Sequence, residues 1–118
     1  MAAEPDGGEV DLTIVTLAFA ARPPGGTDNG GATDRLLAVL SKYVVVSRNH
    51  PGCRNIDLCA SVTTPGRYLV IEKWESPAAQ RAHFDSPDMV EMARSCEGLI
   101  ERRPDIDLLA GISAHDLA

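Results

Sequence analysis

The chain has 118 residues, 44% of them hydrophobic and 24% charged, which suits one compact domain with a modest core. The net charge is -6, the pI is near 4.9, and no Lys/Arg run occurs; this argues against nucleic acid and anionic membrane surfaces, which need clustered cations. No apolar run reaches membrane-spanning length, and Cys53, Cys59 and Cys96 form neither a C-x-x-C pair nor a zinc spacing, which points to reduced thiols in a cytoplasm.

The first ten residues are acidic and polar. They read as a disordered tail and do not resemble a signal peptide. A single domain is expected over residues 11–113, with a short tail at 114–118. "DLTIVTLAFAA" (11–21) is rich in β-branched and apolar residues and reads as a mostly buried strand. "RPPGGTDNGG" (22–31) is dense in Pro and Gly and reads as a loop. Leu36, Leu37, Leu40, Val44 and Ser47 recur at helical spacing, so a helix is expected over 32–48. The β-branched run Val44–Val46 weakens its last turn, and Pro51-Gly52 stops it.

"RNIDLCASV" (54–62) alternates. Ile56, Leu58, Ala60 and Val62 share one face; Asn55, Asp57, Cys59 and Ser61 share the other. "RYLVIEKW" (67–74) follows the turn "TTPG", which makes a hairpin. Ser76-Pro77 and Ser86-Pro87 each place a capping hydroxyl before a proline at the first helical position. Two short helices, or one broken helix, are expected there. Gly98 suits the stop, and "DIDLLAGIS" (105–113) is the last strand. The order β-α-β-β-α-β is the α+β, ferredoxin-like pattern, an antiparallel sheet with helices on one face. The other face then needs a cover, and a second copy of the chain supplies one.

Period two puts Tyr68, Val70, Glu72 and Trp74 on one strand face and Leu69, Ile71 and Lys73 on the other. Trp74, the sole tryptophan, stands where a strand ends and a helix begins. It either seals sheet against helix or walls a pocket there. His83 continues the Ala79–Ala82–His83 stripe and should face inward. It can accept a phenolic proton, or it can be a structural histidine. A buried Glu72 needs a partner, and a Glu72–His83 bond would satisfy both. Arg94 follows Val90 by one turn. It either stabilises an anion or pairs at the surface with Glu91 or Glu97. His50 ends the first helix and can border a pocket. Cys59 reads as a small buried thiol. The three histidines are too scattered for a metal site.

The ordered series "HPGC", "LVIEKWES" and "AHFDSPDM" resembles the antibiotic biosynthesis monooxygenase family, from about Leu12 to Ile112. The resemblance implies a dimeric α+β barrel with a pocket between sheet and helices in each subunit. It also implies a cofactor-free monooxygenase that oxidises a small aromatic quinol or anthrone with O₂, with no metal. His83 would be the base, Arg94 the anion stabiliser and Trp74 a stacking wall. Tyr68, Val70, Glu72 and Gln80 would contact substrate. Two alternatives stay open: a non-catalytic dimeric ligand-binding module, and an isomerase-type enzyme on a small carbonyl compound.

The chain also departs from the family. Its polyketide-oxidising members carry Asn and Tyr where this chain has Val70 and Gln80. Haem-degrading members carry Trp and His where it has His83 and Ala93, so haem degradation is not expected. "SPDM" places Asp88 where relatives have a histidine, so a proton relay through that histidine is absent.

Overall fold

The computed structural model describes residues 12–23 and 31–113. Both expected tails, His115 and most of the Pro/Gly-rich loop lie outside the described residues. Four strands and three helices follow in the expected order. They are β1 (Thr13–Ala20), α1 (Gly31–Ser47), β2 (Cys53–Ala60), β3 (Arg67–Trp74), α2 (Pro77–Phe84), α3 (Pro87–Ser95) and β4 (Asp105–Ala110). The sheet order is β2-β3-β1-β4, and every pairing is antiparallel. This is the ferredoxin-like α+β fold.

Register sorts the two faces. Val15, Leu17 and Phe19 stand opposite Glu72, Val70 and Tyr68, while Ile56 and Leu58 stand opposite Glu72 and Val70. Partners in register share a face, and this face lies under the helices. Val15, Leu17, Phe19, Ile56, Val70 and Trp74 are buried there, with Leu36, Leu40, Tyr43 and Val44 of α1 packed above. The opposite face carries Ile14, Thr16, Leu69 and Ile71, which stay half-buried in the single chain. Strand β4 is exposed along its whole length. Its Ile106 and Leu108 pair with Leu17 and Val15, so they point to the helix side at an edge the helices leave uncovered.

One local expectation holds against a weak propensity, and three change. Helix α1 runs through Val44–Val46 to Ser47, because Tyr43, Val44 and Ser47 are buried there and packing outweighs the propensity cost. Leu37, expected on its apolar stripe, is exposed instead. Val62 leaves the sheet and is 99% exposed. The chain turns at Ser61, whose Oγ accepts from the backbone N–H groups of Thr63 and Thr64. Cys59 is exposed rather than buried, since it lies on the sheet face without helices.

The two short helices form as the sequence implies. Ser76 Oγ accepts from Ala79 N–H at 3.0 Å and Ser86 Oγ from Met89 N–H at 3.3 Å, with proline entering each first turn. The "HPGC" turn has a steric reason for its glycine. Gly52 has φ +82°, and a Cβ there would lie 2.4 Å from the Ala79 Cβ of α2. Its carbonyl also accepts from Glu75 N–H at 2.9 Å. This close approach holds the end of α1 against α2, which matters for the histidines described below. Gly52→Ala combines left-handed strain with an overpacked contact and should lower stability by roughly 2–5 kcal/mol. Urea denaturation followed by circular dichroism measures this; an unchanged midpoint would contradict the steric role.

Candidate functional site

The end of β3 delivers Glu72 and Trp74 to the helix side, and the Ser76 cap turns the chain straight into α2. Helix α2 buries Gln80 and His83, one turn apart. Ala82 is exposed while Ala79 packs partly buried against the core, so the inward stripe is Ala79–Gln80–His83. Helix α1 contributes Tyr43 from its buried side.

These side chains form one hydrogen-bonded series. Trp74 Nε1–H donates to Glu72 Oε1 at 3.0 Å, and the Tyr43 hydroxyl bonds Glu72 Oε2. The same hydroxyl meets His83 Nε2 at 2.7 Å. His83 Nδ1 lies 2.8 Å from His50 Nδ1, and His50 Nε2 lies 2.8 Å from Asp88 Oδ2. Trp74 stacks on the His83 ring, with centroids 4.5 Å apart at 28°. Exposure rises along the series. Glu72, Trp74, Tyr43 and His83 are all buried, while the side chains of His50 and Asp88 are 18% and 41% exposed.

The structure refines three expectations here. Glu72 and His83 do not bond directly: Oε1 and Nε2 are 3.8 Å apart, and the Tyr43 hydroxyl bridges them. Asp88, in the place of the relatives' histidine, joins a series of protonatable groups through His50. Arg94 is exposed and stands outside the series, and Glu91 is held by Lys42 at 2.9 Å. Among the remaining expected site residues, Val70 is core and Gln80 is buried. Tyr68 sits at the far end of β3, beside a surface depression that it lines with Cys59, Thr64 and Arg67. The structure therefore brings together Glu72, Trp74 and His83, and leaves Tyr68 and Arg94 elsewhere.

Sequence reasoning missed Tyr43. The available signal was its place three residues after Leu40 on the buried stripe of α1, where a hydroxyl must find a partner. Ser47, one turn later, has a buried Oγ with no hydrogen-bond partner among the described residues.

Burial sets the electrostatics. It pushes the Glu72 carboxyl above its ordinary range, while the bonds from Tyr43 and Trp74 and the charge of His50 oppose the shift. Burial also lowers His83 to about 4; the nearby charge of His50 adds to this and Asp88 opposes it. The Tyr43 hydroxyl is driven up by burial and by the Glu72 charge, so it stays protonated. Cys53, close by, is raised by burial and then by Glu72.

An open apolar cavity of about 490 Å³ lies between β1, the end of α2, α3 and the start of β4, and no residue of the series lines it. Phe19, Phe84, Met89, Ala93, Cys96 and Ile106 line it, and its charged wall residues are Glu97 and Arg103. Phe84 follows His83 directly, so cavity and series share the end of α2. Among the described residues no group of three His, Cys, Asp or Glu side chains is placed to hold a metal ion, and no helix is long and apolar enough to cross a membrane.

The sequence profile described as antibiotic biosynthesis monooxygenase matches residues 29–95, more than half of the chain. The chain belongs to the antibiotic biosynthesis monooxygenase family. Solved structures agree on the fold. The Rv0793 protein of Mycobacterium tuberculosis superposes with a TM-score of 0.77 at 25% identity, over 89% of this chain and 99% of that one. PA3566 of Pseudomonas aeruginosa gives 0.72 at 25% identity, over 89% and 97%. A crystal structure of an antibiotic biosynthesis monooxygenase gives 0.71 at 20% identity, over 86% and 98%. None of the curated proteins matches the chain.

The buried series predicts an acid response of known sign. His83 has a folded-state pKa of about 4 against an ordinary 6.5, so the unfolded chain binds the extra proton between these values. Its contribution to stability falls as pH drops from 6.5 to about 4. Glu72 is shifted the other way, so its contribution rises on acidification through its raised pKa. Glu72→Gln removes that opposition. Denaturation midpoints across this range should therefore fall more steeply in Glu72→Gln than in wild type; parallel profiles would contradict the opposed pair.

Proposed function

We propose that this family member is a homodimeric, cofactor-free monooxygenase of the cytoplasm that oxidises a small electron-rich aromatic, a quinol or anthrone, with O₂. The observation that carries the reading is the apolar cavity between α3 and the sheet. It suits a planar apolar substrate, which would displace water on binding, and an apolar site admits O₂. The chemistry then comes from the substrate. Once deprotonated, it passes an electron to O₂, and the resulting radical and superoxide recombine. For an anthrone, the ring methylene becomes a carbonyl with one oxygen atom, and the second oxygen leaves as water.

In this reading His83 is the proton acceptor, neutral at physiological pH and next to the cavity residue Phe84. Trp74 and Glu72 hold it in place by stacking and through Tyr43. Val70 and Gln80 shape the packing behind it. Arg94 follows the cavity-lining Ala93 on α3, but Arg103 is on the cavity wall and is the better-placed cation for a developing anion. Tyr68 stands opposite the cavity-lining Phe19 in register but is not itself on the cavity wall. The half-buried apolar face with Ile14, Leu69 and Ile71 supports pairing with a second copy, and the three free thiols are consistent with a reducing compartment.

A second reading has its own support. Glu72, Trp74 and His83 are sealed and satisfy one another, which is what a non-catalytic ligand-binding module of this fold would show. Oxygen uptake with a panel of quinols and anthrones separates the two. The oxygenase reading expects uptake above the uncatalysed rate. That uptake should fall on the order of a hundredfold in His83→Ala, and comparably when Ala93→Trp fills the cavity. Binding that quenches Trp74 fluorescence, with no uptake, would instead establish the module. The same preparation should scatter light at the mass of a dimer; a monomer would remove the pairing.

A further inference from the structure

We infer that Asp88, His50, His83, Tyr43 and Glu72 form a proton wire that holds one shared proton and passes it between His50, paired with Asp88 at the surface, and the buried Glu72 carboxylate. The number of hydrogens the series must hold requires this whether or not the protein is an oxygenase.

The series contains four consecutive contacts: Asp88–His50, His50–His83, His83–Tyr43 and Tyr43–Glu72. A contact between two lone pairs repels, and so does a contact between two N–H or O–H groups. Each contact therefore needs one hydrogen. With both carboxylates ionised, two neutral imidazoles and a phenol supply only three, since a neutral imidazole carries one N–H and tyrosine one O–H. The series is satisfied only if it holds one proton more. A further proton inside the series would put two hydrogens into one contact, either between the histidines or between Tyr43 and a neighbour.

The extra proton has two resting places. In one, His50 is an imidazolium paired with Asp88, His83 carries its hydrogen on Nε2, and Tyr43 donates to an ionised Glu72. In the other, Glu72 is a carboxylic acid donating to Tyr43, Tyr43 donates to His83 Nε2, and His83 Nδ1–H donates to a neutral His50. Conversion moves three hydrogens one step each. The His50 Nδ1–H bond breaks as His83 Nδ1–H forms. The His83 Nε2–H bond breaks as a Tyr43 O–H forms, and the original Tyr43 O–H breaks as Glu72 Oε2–H forms. Total charge and atom count are unchanged, and no oxidant or reductant takes part.

The surroundings favour the two ends. Burial raises Glu72 and lowers His83 to about 4, so the proton does not settle on His83. Trp74 donates to the other carboxylate oxygen, which keeps Oε2 facing Tyr43. The other titratable groups facing the series are Cys53 beside Tyr43 and Glu72, with Arg48 near it, and Lys42 and Glu91 near Asp88. None makes a bond to the five wire residues.

The test is a proton census by NMR on the full-length protein at neutral pH. Long-range ¹H–¹⁵N correlations give the protonation and tautomer of His50 and His83, and the side-chain carboxyl ¹³C shift gives Glu72. The wire requires the imidazolium fraction of His50 and the protonated fraction of Glu72 to add to one, with His83 neutral. Both imidazoles neutral beside an ionised Glu72 would overturn it, and so would a charged His50 beside a fully protonated Glu72. Glu72→Gln gives an independent reading. Trp74 Nε1–H fixes the amide oxygen on its side, so the amide N–H group faces Tyr43 and every later hydrogen must point outward. His83 should then be the Nδ1–H tautomer and His50 neutral. A His83 carrying its hydrogen on Nε2 in a folded Glu72→Gln protein would contradict the wire.

Discussion

A carboxylate in the core constrains everything around it. Glu72 lies on the helix-facing side of β3 with almost no exposure, where an unpaired charge would cost several kcal/mol. Its two oxygens take bonds from Trp74 and Tyr43, and those bonds fix where the sheet ends and how α1 lies across it. Tyr43 in turn reaches His83, so the position of α2 depends on the same carboxylate. The Gly52–Ala79 approach completes the arrangement by holding the end of α1, and with it His50, against α2. The packed core and the hydrogen-bonded series are thus one structure built outward from Glu72.

That structure divides the helix side into two zones with different chemistry. Toward α1 the groups are polar, buried and mutually satisfied. Toward α3 and β4 the surface is apolar and open, with Phe84 at the boundary. A reaction that needs proton transfer and an apolar substrate would use both zones, with α2 between them. A module that only binds would use the second and keep the first for stability. Membership in the antibiotic biosynthesis monooxygenase family is compatible with either use, because the fold is shared more widely than any one reaction.

Much of the fold was legible because its signals are local. Alternation in "RYLVIEKW", the serine-proline pairs that start α2 and α3, and Pro51-Gly52 at the end of α1 each act within a few residues. The buried faces of Trp74, Glu72 and His83 followed from period two in the strand and helical spacing in α2. What stayed hidden depends on distant pairing. Tyr43 is 29 residues from Glu72 and 40 from His83, and nothing near it in the chain announces either partner. Asp88 looked like the loss of a relay because the histidine it would meet, His50, lies 38 residues away. Cys59 and Val62 were misplaced for a different reason. Alternation names two faces but not which one the helices cover, nor where a serine turn lifts the strand out of the sheet. Arg94 had two readings, and its exposure on α3 fits the surface one.

Tyr43 and Glu72 satisfy each other in the core. A double-mutant cycle with Tyr43→Phe and Glu72→Met, whose thioether cannot replace the carboxylate's bond, read by urea unfolding and circular dichroism, tests this most directly. The account predicts a coupling energy of about 1–3 kcal/mol between the two positions. Additive losses, with coupling within about 0.3 kcal/mol of zero, would mean that the carboxylate is held by something else.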